Sequence, residues 1–308
     1  MSTLLVSQPN FEDHVTPRGH PERPDRIRAV EEALADARFD SLMRRTAPSA
    51  DVTLAELVHD RNYMQRLRDA RPAEGIGQID GDTFISHRSL SAVATGLGAA
   101  LAALDAVLLG EADNAFCAIR PPGHHAEIAM PMGFCLINTV AITAREAQRK
   151  YGAERIAIVD FDVHHGNGTQ DIFKDEPSVF YASSHQMPLY PGTGAPNETG
   201  VGNILNVPLP PDSDGAEMRR AYREIILPAL DNFSPDLLLI SAGFDAHERD
   251  PLAQLRWVDE DYTWLTGKLM EVAGRRCADR VVSLLEGGYD LKGLAGGASH
   301  HVATLLHG

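Results

Sequence analysis

Residues 156–173 read IAIVDFDVHHGNGTQDIF: an unbroken apolar run, two acids and two histidines, a Gly-Asn-Gly turn, then a helical pattern. The apolar run shows no alternation, which is the signature of a strand covered on both faces in a parallel sheet. The same design recurs outward from it, at residues 115–119, 178–182, 237–241 and 280–285. Between these runs, residues 90–109, 138–150, 216–230 and 260–277 carry apolar side chains at helical spacing among Ala, Glu and Arg. Strand alternating with helix predicts an α/β fold: a single doubly wound domain over residues 1–308, with a mostly parallel sheet flanked by helices. Ligand chemistry in such a sheet belongs beyond the carboxyl ends of the strands. Residues 186–218 break the rhythm. Crowded with Gly, Pro, Asn and Asp, they predict a long irregular loop of the kind that serves function.

The chemistry-bearing residues sit where the apolar runs end. Asp160, Asp162 and His164 are spaced by two, which in an extended chain puts all three side chains on one side. Carboxylates at the end of a buried strand need a partner, and a cation is the economical one. Asp162 and His164 suit a divalent metal of the zinc type, which accepts imidazole nitrogen and carboxylate oxygen. A second apolar run ends in Asp245, a third oxygen ligand. Three protein ligands leave a position open for water, as catalytic rather than structural zinc sites do. The run at 115–119 turns through Pro121-Pro122-Gly123 to adjacent His124 and His125, candidates for general acid and base work. The last run leads through Gly287-Gly288 to Tyr289, a phenol placed to donate to a developing oxyanion.

The stretches RPPGHHA, MGFC, DFDVHHGNGTQDIF, PGTG, GFDAHERDPL and EGGYDL, with HPERPDRI near the start, resemble the zinc-dependent histone deacetylase family. The likeness is to its class II-like branch, in a superfamily that includes acetoin-utilisation proteins and acetylpolyamine amidohydrolases. The motifs run in family order across residues 20–301. The resemblance implies the arginase/deacetylase fold and one zinc per chain held by Asp162, His164 and Asp245. It implies that His125 is the general base, that His124 is its companion held by Asp160, and that Tyr289 polarises the amide carbonyl. Gly133, Phe134 and Tyr190 resemble the walls of a narrow tunnel, Leu252 its mouth, Asp82 a rim group and Arg26 an inner-cavity arginine associated with acetate exit. Asp160, Asp162, His164, Ser183 and Ser184 resemble a structural potassium site. Asn167 stands where class I members carry an aspartate beside the second histidine, a neutral partner that leaves His125 less basic.

Composition narrows the partners. With 43 Asp plus Glu against 28 Lys plus Arg, the chain of 308 residues has a formal charge of −15. That argues against nucleic acid or an anionic membrane as partner, and suits a cationic substrate. Three scattered cysteines favour a reducing compartment. The first residues, MSTLLVSQPN, lack the pattern of a signal peptide, and the apolar stretch 96–110 contains Asp105 and reads as too short for a bilayer span. A cytoplasmic enzyme is the expectation. The expected reaction is removal of acetyl or other acyl groups from lysine side chains of proteins or peptides. An acetylated polyamine is the alternative substrate, and the oligomeric state is left open.

Overall fold

The computed structural model describes residues 1–307. The first half contributes β1 (Thr3–Ser7), α1 (Asp25–Ala33), β2 (Met43–Thr46), α2 (Tyr63–Ala70), the hairpin of β3 (Ile76–Gln78) and β4 (Phe84–Ser86), α3 (Ser89–Leu108) and β5 (Asn114–Ala118). The middle contributes α4 (Thr139–Tyr151), β6 (Ile156–Asp160), α5 (Asn167–Phe173), β7 (Val179–Gln186) and β8 (Ile204–Leu209). Then follow α6 (Gly215–Ala221), a π-turn at Tyr222–Ile226, α7 (Leu227–Phe233), β9 (Leu237–Ala242), α8 (Asp259–Arg276), β10 (Val281–Leu285) and α9 (Leu291–His307). Eight strands form one sheet in the order β2-β1-β5-β10-β9-β6-β7-β8, and every neighbouring pair is parallel.

Every residue of β5, β6, β9 and β10 is buried, which is why their sequences do not alternate. Each sheet face carries its own apolar layer. On one, α1, α8 and α9 pack around Phe161, Phe244 and Tyr262. On the other, α2, α3 and α4 pack around Tyr63, Leu97, Leu104 and Tyr181.

Three strands of the sheet lie outside the five runs that the sequence marks. β2, of sequence MRRT, is an exposed edge whose place is set by backbone pairing to β1, so no apolar pattern announces it. β8 lies inside the stretch expected to be irregular; it is the other edge, paired only to β7, and so accommodates Pro208. α6 begins in the same stretch. The apolar segment at 96–110 also needs correction: α3 is a helix of 20 residues, long and apolar enough by composition to cross a membrane. Burial, not length, accounts for its character, because it packs on β1, β5, β10 and α4.

The strand order reverses between β6 and β9. From β6 the chain continues outward through α5, on the α4 side of the sheet, to β7; from β9 it runs through α8, on the opposite side, to β10. The loops that leave these two adjacent strands therefore part, opening a crevice at the carboxyl edge. The loops after β5 and β10, the next strands along, complete its walls.

Candidate active site at the carboxyl edge

The loop after β6 carries the first two metal-ligand candidates. The strand ends at Asp160, and the chain then turns rather than staying extended: Asp162 N–H donates to Asp160 Oδ1 at 3.1 Å and His164 N–H to Asp162 Oδ1 at 2.9 Å. Asp160 and Asp162 nevertheless reach the same His124 ring, with Asp162 Oδ2 3.8 Å from its Nε2. Asp160 points to His124, with Nδ1 at 3.0 Å, and also accepts from the Tyr181 hydroxyl at 3.0 Å. Asp162 and His164 also meet Asp245 from the loop after β9.

Ligand atoms of Asp162, His164 and Asp245 all lie within 4.8 Å of one another. His164 Nδ1 sits 3.2 Å from Asp162 Oδ1 and 3.1 Å from Asp245 Oδ2. The outer carboxylate oxygens are tied to backbone: Gly287 N–H donates to Asp162 Oδ2 at 2.8 Å and Val163 N–H to Asp245 Oδ1 at 2.9 Å. Both aspartates are fully buried. Burial and the neighbouring Asp162 charge push the Asp245 carboxyl up to about 7. Two buried carboxylates and one imidazole converging on one point fit a divalent cation of the zinc type, which would neutralise a pair of charges otherwise costly to bring together.

The two histidines of the loop after β5 have opposite environments although they are adjacent in sequence, with ring centroids 4.0 Å apart. Burial opposes charge on His124, but Asp160 and Asp162 outweigh it and raise its imidazole to about 10. Burial, with His124 and His164 alongside, holds His125 well below the usual histidine range; its Nδ1 meets Asn167 Oδ1 at 2.7 Å. Such a split suits His124 to stay paired with Asp160 and His125 to act as the proton acceptor.

Tyr289 is nearly buried. Burial pushes its phenol well above 10, so it stays a proton donor. Its ring meets the edge of Phe134, with centroids 5.7 Å apart, and the Arg26 guanidinium lies 4.9 Å from the ring centre. Arg26 also donates to the Gly288 carbonyl at 2.6 Å, which fixes the turn before Tyr289 from below.

A cavity of about 220 Å³ leads from the surface to these groups, lined by Asp82, His125, Gly133, Phe134, His164, Leu189, Tyr190, Leu252 and Tyr289. All five tunnel candidates from the sequence are among them. Gly133 has φ +56°, and a Cβ there would lie 2.5 Å from His125 Cδ2. Phe134 follows in the same left-handed region at φ 68°, an unusual backbone for a bulky residue and one held by its N–H on Thr83 Oγ1 at 3.1 Å. Asp82 is carried by the β3–β4 hairpin. Ser183 lies in register with Asp160 on the neighbouring strand; its hydroxyl bonds His185 Nδ1 at 2.9 Å, and that of Ser184 bonds Tyr222 at 2.9 Å.

Two acids in the quoted motifs, unassigned from the sequence, anchor the site. Asp250 Oδ2 accepts the N–H of Tyr289 at 2.7 Å while its Oδ1 accepts that of Leu252 at 3.0 Å, tying the phenol to the tunnel mouth. Glu286 Oε2 accepts the N–H groups of Gly123 and His124 at 2.6 and 3.2 Å, tying the last strand's loop to the histidines. An acid beside Pro251 and another before Gly287-Gly288 were the available signals.

Comparison with known proteins gives the family. A family model described as a histone deacetylase domain matches residues 20–305. The chain is 39% identical over 297 residues to "Histone deacetylase 10, chloroplastic" of Oryza sativa subsp. japonica, covering 90% of this chain and 67% of that protein. It is 38% identical over 277 residues to "Histone deacetylase-like amidohydrolase" of Pseudomonas aeruginosa, covering 88% of this chain and 73% of the relative. The solved HDA15 HD domain superposes with a TM-score of 0.93 at 34% identity, over 99% of this chain and 88% of that one. With the match running through every loop that forms the crevice, the chain belongs to the histone deacetylase family of hydrolases.

Proposed function

We propose that the chain is a zinc-dependent amidohydrolase that removes acetyl groups from lysine side chains of proteins or peptides. The observation that carries this reading is the narrow cavity, whose walls of Gly133, Phe134, Leu189 and Tyr190 suit an aliphatic stem and whose inner end holds His125, His164 and Tyr289. Zinc held by Asp162, His164 and Asp245 would polarise the acyl carbonyl and make a water acidic near neutral pH. His125, kept neutral, takes the proton from the attacking water. Tyr289 donates its hydroxyl proton in a hydrogen bond to the carbonyl oxygen as charge gathers there. The imidazolium of His125 then returns the proton to the departing amine, while His124 remains paired with Asp160. Asp160, Asp162, His164, Ser183 and Ser184 together are the proposed place of a structural potassium ion.

The alternative is an acetylpolyamine amidohydrolase. Asp82 at the cavity and the charge of −15 favour a cationic substrate of either kind. A mouth that carries Leu252, where an acid would hold a second ammonium, favours lysine. Acetate release by the zinc-loaded protein, measured on an acetyl-lysine peptide and on acetylputrescine, ranks the two. Absence of release from either overturns the hydrolase reading for these substrates, and faster turnover of acetylputrescine replaces lysine with polyamine.

A further inference from the structure

Beside the His125 ring stands Asn167, and an amide can face either way. Its Oδ1 lies 2.7 Å from His125 Nδ1, and its Nδ2 lies 2.7 Å from Glu127 Oε1, with Met132 Sδ at 3.3 Å. An ionised carboxylate only accepts hydrogen bonds, so the amide end facing Glu127 must be the NH2. The oxygen must then face the imidazole, and Nδ1 must carry the hydrogen. That leaves the lone pair on Nε2, the nitrogen a base needs toward the cavity. The opposite tautomer would require the amide to flip, pressing its oxygen against the carboxylate.

Glu127 is free to serve this bond. No Lys, Arg or His lies within 4.0 Å of its carboxylate among the described residues. The nearby Lys174 is paired with Asp171 at 2.8 Å, and Arg66 with Asp60 at 2.9 Å. Its backbone is held at both ends: its N–H donates to the Met130 carbonyl, and its own carbonyl meets His59 Nδ1, each at 2.9 Å. His124 receives a negative charge directly from Asp160, whereas His125 receives one at one remove, through a neutral amide.

We propose that Glu127 is a positioning residue that acts through the Asn167 amide to hold His125 in its Nδ1–H tautomer; this builds on the deacetylase reading. The test uses zinc-loaded protein and the variants Glu127→Gln, Asn167→Asp and their combination. A glutamine can present either oxygen or nitrogen, so Glu127→Gln releases the amide. kcat is expected to fall about tenfold, within the usual range for a partner one residue removed from a site. KM should barely change, because Glu127 does not line the cavity. Asn167→Asp alone sets two carboxylates against each other and should also be impaired. In the double variant the glutamine NH2 can donate to the new aspartate, so activity should exceed that of Asn167→Asp, with the acidic limb of the pH profile moved to higher pH.

Nitrogen-15 NMR of the His125 ring, assigned by its loss in His125→Ala, reads the tautomer without turnover. Wild type should show protonated Nδ1, and Glu127→Gln a mixture. A Glu127→Gln protein that keeps both the rate and the pure Nδ1–H tautomer overturns the proposal, as does a double variant no better than Asn167→Asp. A wild type that holds the Nδ1–H tautomer yet hydrolyses no acylated amine would sink the deacetylase reading and leave the Glu127 assignment standing.

Discussion

Gly287→Ala should weaken zinc binding at the proposed site while leaving the sheet intact. A Cβ at this position would lie 2.1 Å from Asp245 Oδ2 and 2.5 Å from Asp162 Oδ2. Ordinary van der Waals contact begins at 3.4 Å. The two carboxylates would therefore have to retreat by about 1.3 and 0.9 Å, far beyond the roughly 0.2 Å by which metal–ligand distances vary. The backbone cannot move instead at no loss, since Gly287 N–H is bound to Asp162 and its carbonyl accepts the Phe244 N–H at 3.1 Å. Overpacking of this kind typically costs about 1–3 kcal/mol. Zinc affinity, read by competition with a chromophoric chelator, should fall at least 10- to 100-fold. Acetate release should fall with it, and the zinc-dependent rise in Tm should shrink. The control is Gly267→Ala in α8, whose nearest neighbour to a new Cβ is Thr304 Cγ2 at 3.7 Å; it should bind zinc like wild type. If Gly287→Ala retained wild-type zinc affinity and rate, the assignment of Asp162 and Asp245 as the confined ligand pair would be wrong.

Tyr289→Phe should lower kcat about 10²- to 10³-fold with little change in KM, as loss of one oxyanion donor does; an unchanged kcat removes Tyr289 from the chemistry. Glu22 grips Arg120 through two oxygens at 2.7 and 2.6 Å; burial works against its charge, but Arg120 holds its carboxyl down at about 2, against 4.5 in the unfolded chain. Between those values the unfolded chain binds the extra proton, so this stabilisation, on the order of 3 kcal/mol, is full above pH 4.5 and is lost as pH falls through 2. Denaturation of wild type and Glu22→Gln should therefore show a stability gap that narrows from pH 6 toward pH 3, and a constant gap would refute the ion pair's role. Finally, kcat/KM for a cationic acetyl-lysine peptide should fall as ionic strength rises, whereas a flat response would leave the charge of −15 without a part in catalysis.

Strand ends make most of the candidate site legible in the sequence. Each candidate ligand or base follows an apolar run within six residues, so the type of side chain and its place at the carboxyl edge can be read together. β2 and β8 were not legible because an edge strand is specified by its neighbour's backbone, and MRRT or a segment with Pro208 carries no period of its own. Residues 160–164 show the same divide at finer scale. Their spacing points to one shared direction, and Asp160 and Asp162 do reach the same His124 ring, but only the folded sheet brings Asp245 to Asp162 and His164.

Side-chain chemistry is a local property, and so the chain alone names the candidate ligands, the paired histidines and the phenol. Which histidine is charged is not local. It follows from Asp160 arriving beside one ring and Asn167 beside the other, from a strand end and a helix start that folding brings to a single loop. Nor do Asp250, Glu286 and Glu127 declare themselves in order along the chain, because their partners lie on backbone and amide groups up to 163 residues away. Hydrogen bonds over such separations form only once the sheet has set the loops side by side, and they turn a set of suitable residues into a site with assigned protons.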